Sequence, residues 1–240
     1  MIKEIRSRQN ELVKEVAKLS DAKARKQQKL FKVEGFHMLE MAKETGLIHS
    51  VFTLKEIKDL ESKIPQYLVS EEVLEKLSST KTPQGVVCVC HLLNEKPIKS
   101  DKVLYLDDVS DPGNLGTILR TALAFGYDDV ILSKNCCSIY NEKTLQASQG
   151  AIFKLNIVAD LDLSKLKADG YQILATEIKG SISLEEVSKP EKLVLVLGNE
   201  AHGVNEAILK LADKRIRIDI KNIDSLNVAI TCAIAMFKFK

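Results

Sequence analysis

Hydrophobic and polar positions along this chain alternate between two periods, and their order sets the architecture. Leu12, Val16 and Leu19 recur at helical spacing inside a basic stretch. Extended apolar runs and helix-periodic stretches then take turns. Strands are predicted at 31–34, 47–54 and 66–69, with helices at 36–45 and 56–63 between them. Gly46 stands in a helix-ending position, and Ser70 can cap a helix whose first turn holds Glu71 and Glu72. An apolar strand at 85–93 closes this unit. Residues 94–102 are polar, contain Pro97 and read as a connection. The expected domains are therefore 1–95 and 103–240, joined by a linker at 96–102.

A second alternation follows, with strands predicted at 103–107, 130–132, 153–158, 172–175, 193–197 and 215–220. Helical stretches lie between them, and a last helix runs from about 225 to 237. The pattern predicts an α/β domain built on a mainly parallel sheet with helices on both faces. In such sheets ligands bind beyond the carboxyl ends of the strands. The loops after Asp107, Ala175, Leu197 and Ile220 are thus the places to look for chemistry.

Three of these loops carry information. In the first, Pro112 and Gly113 make the turn, Asn114 is suited to cap the following helix, and Gly116 leaves room for a close approach. Arg120 follows six residues after Asn114; the loop is either ligand-facing or a capped surface helix whose arginine forms a salt bridge. In the second, a fully apolar strand runs into Gly198-Asn199-Glu200-Ala201-His202-Gly203, where glycines expose backbone and Glu200 offers a fixed carboxylate. A simple helix entry is the other reading, and His202, with no serine or cysteine nucleophile to serve, reads as a solvent-facing residue. The third loop is 219–227, where Asp224 or Ser225 can cap the final helix. From Leu226 to Phe237 only Asn227 and Thr231 are polar, so that helix must be buried on several sides, inside the domain or against a second subunit.

Composition narrows the classes. The chain has 240 residues, 45% of them hydrophobic, and no tryptophan, so aliphatic side chains must make most of the core. No apolar run reaches the roughly 18 residues of a membrane span, and the first residues lack the apolar core of a signal segment; a cytoplasmic protein is expected. The five cysteines lack zinc-site spacing and read as small hydrophobes, so no metal is expected. Net charge is only +2, yet residues 1–32 carry ten Lys/Arg against four acids. Such a basic amino-terminal arm is either a polyanion contact or a solvated helix face. A Gly-x-Gly-x-x-Gly fingerprint, a Walker loop and a His-Glu-x-x-His motif are all missing, which argues against a dehydrogenase or another nucleotide enzyme.

Taken together, Asn114-x-Gly116-x-x-x-Arg120, Leu197-Gly198-Asn199-Glu200-x-x-Gly203 and Ser225-Leu226-Asn227-Val228 resemble the three motifs of the SpoU/TrmH family of the SPOUT methyltransferase superfamily. Val33-Glu34-Gly35 and Thr82-Pro83-Gln84-Gly85-Val86 resemble the substrate-binding domain often fused ahead of it, which is similar in fold to RNA-binding ribosomal proteins. The resemblance implies a trefoil-knotted carboxy-terminal domain, a homodimer, S-adenosylmethionine as cofactor and methylation of a ribose 2′-hydroxyl in RNA. Ribosomal RNA is favoured over transfer RNA, and a non-catalytic RNA-binding relic is the rival. Carried over by motif, Asn114, Arg120, Glu200, Ser225 and Asn227 would form the catalytic neighbourhood. Thr176, Leu197, Gly198, Asn199, Gly203, Ile218, Ile220 and Leu226 would hold the cofactor. Two positions depart from the family pattern: Ala201 replaces a glycine, and Asp219 replaces a proline and puts a charge beside the presumed adenine pocket. Because a guanidinium stays protonated, Arg120 is expected to clamp RNA phosphate and polarise the 2′-hydroxyl rather than accept its proton.

Overall fold

A computed structural model of the chain describes residues 2–80 and 82–240. They form two compact units, one ending at Asn94 and one running from Glu95 to Lys240.

The first unit runs β1 (Ile2–Ile5), α1 (Glu11–Ala17), α2 (Ala22–Gln28), β2 (Leu30–Glu34), α3 (Phe36–Lys43), β3 (Ile48–Thr53), β4 (Gln66–Val69), α4 (Glu71–Leu77) and β5 (Val86–His91). Its five strands lie in the order β1-β4-β3-β5-β2. β1, β4 and β3 are mutually parallel, whereas β5 is antiparallel to both β3 and β2. On one face Val13, Val16 and Leu19 meet Val73, Leu74 and Leu77 over Phe52, Val87 and Val89. The basic stretch is therefore no free arm. It supplies an edge strand and part of the core, and two of its cations are buried: Arg25 donates to the carbonyls of Leu19 and Ser20, and Lys32 to that of Leu77.

One predicted helix does not form. Residues 56–63 make turns because the buried Gln66 side chain accepts from the Ile57 N–H at 2.6 Å and donates to its carbonyl at 3.1 Å. Those backbone groups are then unavailable to a helical ladder.

The second unit runs β6 (Lys102–Leu106), α5 (Pro112–Ala124), β7 (Asp129–Leu132), α6 (Glu142–Ser148), β8 (Asn156–Ala159), α7 (Leu163–Ala168), β9 (Gln172–Thr176), β10 (Ile182–Ser183), β11 (Leu193–Leu197), α8 (Glu206–Leu211), β12 (Lys214–Arg217) and α9 (Val228–Lys238). Its seven strands lie in the order β10-β12-β9-β11-β6-β7-β8, every pair parallel. Alternate residues feed two cores. Val103, Tyr105, Val194, Val196, Ile173 and Ala175 pack with Leu163, Leu166 and Leu209 of α7 and α8. Leu104 and Leu106 of β6 and Leu193, Leu195 and Leu197 of β11 are buried as well, as expected where helices cover both faces of a parallel sheet.

Two strand expectations shift. The stretch expected as a strand from 153 opens with a 3-10 turn, Ala151–Phe153, after Gly150 at φ 84°, and pairing begins at Asn156. The strand expected to reach Ile220 stops at Arg217, because its outer neighbour β10 is only two residues long. The linker expected at 96–102 is not a free connection, since residues 95–101 lie along the second unit. Lys96 exchanges two hydrogen bonds with the Asn156 side chain, Asp129 accepts from the N–H groups of Lys99 and Ser100, and Tyr171 donates to the Ser100 carbonyl.

Candidate active site

The order of the strands reverses between β6 and β11. From β6 the chain moves outward through β7 and β8, then crosses to place β9, β11 and β12 on the other side. Loops leaving the carboxyl ends of two strands at such a reversal diverge and open a crevice. Leu106 pairs with Leu197 at that level, so the loops after these two residues form its walls.

The first wall is fixed by Asp108, which takes a left-handed φ of 56°. Its carboxylate accepts from Ser133 Oγ and Asn135 Nδ2, and those two bonds hold it below the ordinary aspartate range. Asp111, not Asn114, caps α5: its Oδ1 accepts from the Asn114 N–H at 2.8 Å, with Pro112 in the first helical turn. Asn114 therefore sits inside the first turn with its side chain free to point across the crevice. The final helix is capped by Asn227, whose Oδ1 accepts from the Ala229 and Ile230 N–H groups. Neither Asp224 nor Ser225 performs the capping role expected of them, and α9 starts three residues later than predicted.

The second wall is a tight turn. Asn199 and Gly203 exchange backbone hydrogen bonds of 3.0 Å each. Asn199 Oδ1 accepts from the Ala201 and His202 N–H groups, and its Nδ2 donates to the Asp108 carbonyl at 2.8 Å. Asn199 thus shapes the loop and ties both walls together. A Cβ on Gly198 would lie 2.1–2.3 Å from the backbone of Gly203 and Val204, so only glycine permits the turn. His202 is exposed.

These turns bring three distant polar side chains into one chain of bonds. Asn227 Nδ2 donates to Asn114 Oδ1, and Asn114 Nδ2 donates to Glu200 Oε1, both at 3.0 Å. Ser110 Oγ donates to Glu200 Oε2 at 3.3 Å. Burial works against ionisation of Glu200. Donation by Asn114 and by the backbone N–H groups of Glu200, Ser110 and Asp111 outweighs it, and the carboxyl is held below the usual glutamate range. Glu200 is consequently a fixed anion at neutral pH and an anchor for Asn114, not a group poised to carry a proton.

Arg120 and Ser225 are not part of this cluster. Both are exposed, and among the described residues neither side chain makes a hydrogen bond or ion pair; the salt-bridge reading of Arg120 is excluded. Ser110, Asp107 and Lys143 belong to the neighbourhood but were missed in the sequence. Asp107 accepts from the Asn205 N–H at 2.7 Å while burial pushes its carboxyl up, and Lys143 pairs with Asp111 at 3.0 Å. The signal available was the polar density of the 107–111 loop.

The expected cofactor residues surround the same sheet end. Thr176 closes β9 and donates to the Val196 carbonyl, and Leu197 closes β11. Among the described residues, 218–226 form no backbone–backbone hydrogen bond, while Ile218, Ile220 and Leu226 are half-buried. Aliphatic walls with unpaired N–H and C=O groups suit a flat heterocycle that has apolar faces and polar edges. This donor set fits the adenosyl group of S-adenosylmethionine. Asp219 is paired with Arg217 Nε at 2.9 Å, which neutralises the charge that stood out in the sequence.

Among the described residues no helix is long and apolar enough to cross a membrane. No group of three or more His, Cys, Asp or Glu there could hold a metal ion.

The sequence profile of the SpoU rRNA Methylase family matches residues 101–237, and that of the MRM3-like substrate binding domain matches 10–88. The chain is 35% identical to the 23S rRNA (guanosine(2553)-2'-O)-methyltransferase RlmP of Bacillus subtilis, over the full length of both. It is also similar in structure to an rRNA methyltransferase from Sinorhizobium meliloti, with a TM-score of 0.90 at 28% identity, covering 99% of this chain and 96% of that one. The AdoMet-bound form of that enzyme matches with the same TM-score, covering 99% and 97%.

Proposed function

Because the chain belongs to the SpoU rRNA Methylase family, we propose that it methylates a ribose 2′-hydroxyl of 23S-type ribosomal RNA, using S-adenosylmethionine. The observation that carries this reading is the Asn227–Asn114–Glu200 chain of hydrogen bonds at the strand-order reversal. A purely RNA-binding protein has no use for an amide locked at both ends above a cofactor-sized loop.

Bound S-adenosylmethionine supplies a methyl on a sulfonium, already a good leaving group. The protein's own residues must align the ribose oxygen with it and ease loss of the proton. Asn114, fixed by its two partners, presents one amide orientation to the ribose. Arg120, a permanent cation with no side-chain partner among the described residues, grips the adjoining phosphate and polarises the hydroxyl. Thr176, Leu197, Gly198, Ile218, Ile220 and Leu226 hold the cofactor, with Asn199 and Gly203 shaping the loop over it. The same reading includes a cytoplasmic enzyme whose catalytic unit is knotted through these loops.

It also includes a homodimer. Ile230, Ile234 and Phe237 recur at i, i+4 and i+7 along α9 and are 51%, 39% and 55% exposed. An apolar stripe of this kind on a helix otherwise buried favours a second copy.

The test is transfer of labelled methyl from S-adenosylmethionine to ribosomal and transfer RNA, wild type beside Arg120→Ala, followed by alkaline hydrolysis. Label in alkali-resistant dinucleotides from ribosomal RNA, reduced at least about 100-fold in the variant, is expected. Label in mononucleotides would mean base methylation and would overturn the proposed chemistry.

A further inference from the structure

The crevice that must receive a polyanion is itself anionic. Asp108, Asp111 and Glu200 are all held below their ordinary ranges, and Asp107 lies behind them. An RNA backbone approaching Asn114 therefore meets fixed negative charge unless a cation stands at the rim. The structure places one there. Lys143 lies in the first turn of α6, its Nζ 3.0 Å from Asp111 Oδ2, beside the helix turn that carries Asn114.

The approach is built into the sequence. A Cβ on Gly113 would sit 2.9 Å from Lys143 Cε and 3.3 Å from its Nζ, so the lysine stem lies over a position where glycine leaves it room. Its side chain is still 62% exposed. An ion pair that open to water is weak, so the ammonium can exchange partners easily. Gly113 and Arg120 are seven residues apart on one flank of α5, about 10 Å along the axis. Lys143 and Arg120 thus bracket the flank that leads to Asn114.

We propose that Lys143 is a positioning residue that exchanges Asp111 for a phosphodiester of the RNA and sets the target ribose against Asn114. This rests on the RNA-methyltransferase reading above. Phosphate gripping and a mere bridge between α5 and α6 make opposite predictions for two variants. Lys143→Ala removes the cation. Asp111→Asn keeps a capping side chain but releases the lysine.

The experiment measures affinity for in vitro transcribed 23S rRNA across a salt series, together with KM, kcat and Tm, on the full chain. Lys143→Ala is expected to raise the RNA KM about tenfold and to lower the slope of log K against log salt by about 0.7–0.9, one phosphate contact. Its S-adenosylmethionine affinity and Tm should stay near wild type, and Lys143→Arg should restore the slope. Asp111→Asn should bind RNA as tightly as wild type or tighter. An unchanged slope in Lys143→Ala, or weaker RNA binding in both variants alongside lowered Tm, would overturn the proposal. If the wild type binds RNA but methylates none, the enzymatic reading fails while the salt slope still judges Lys143.

Discussion

Asn114 owes its orientation to both ends of one amide, the oxygen held by Asn227 and the nitrogen by Glu200. Replacing that nitrogen by oxygen reverses the interaction: Asn114→Asp sets two carboxylates against each other, and like charges at hydrogen-bond distance raise one pKa. In the wild type Glu200 sits below its ordinary value of 4.5, so the arrangement is intact above that range and fails only as pH falls through it. In Asn114→Asp the pair takes up a proton more readily, and that proton restores a donor. Turnover should drop roughly 100-fold at pH 8 and recover part of the loss as pH is lowered towards 6. A pH profile parallel to wild type would show that the Asn114–Glu200 bond does not matter. The identities of these residues were legible as motifs, but their local duties were not. Asp111 and Asn114 are both competent caps, as are Asp224, Ser225 and Asn227, and composition alone does not rank them. Pro112 was the usable sign, since proline favours the first helical position and makes the preceding Asp111 the cap.

Elements are positioned by what their surfaces allow. At Gly116 an added Cβ would lie 2.5 Å from the Thr144 carbonyl oxygen and 2.6 Å from the Ala147 Cβ, so α5 and α6 touch backbone to backbone. Gly116→Ala must push them apart, at a cost of about 1–3 kcal/mol. Thermal unfolding should show a Tm several degrees lower, and because α6 carries Lys143 the RNA KM should rise as well. A variant as stable as wild type would contradict this packing. Most strands were readable from their apolar runs, and β11, apolar at every position, is an example. The helix expected at 56–63 was not readable, because the side chain that breaks it, Gln66, lies in the following strand, outside the segment's own periodic pattern. The end of β12 was set likewise by its neighbour: the two-residue β10 offers nothing for Ile218 to pair with.

At the scale of the whole molecule, α9 is the element that faces both ways. Cys232, Ala235 and Met236 are buried in the second unit, while Ile230, Ile234 and Phe237 face outward. Ile234→Glu combined with Phe237→Glu should convert the proposed dimer to a monomer in sedimentation, with little change in the fold by circular dichroism. Dimers persisting in the double variant would move the interface elsewhere. A separate consequence follows from the strap at 95–101, whose N–H groups satisfy the buried Asp129 and whose Ile98 packs on the catalytic core. In heredity, as at the bench, the seam between modules lies ahead of Glu95. A gene fusion or exchange cut there keeps the strap with the sheet it serves, whereas a cut at the first catalytic strand strips both N–H donors from Asp129 Oδ2, leaving Asn156 on Oδ1, and takes the Ser100 carbonyl from the Tyr171 hydroxyl.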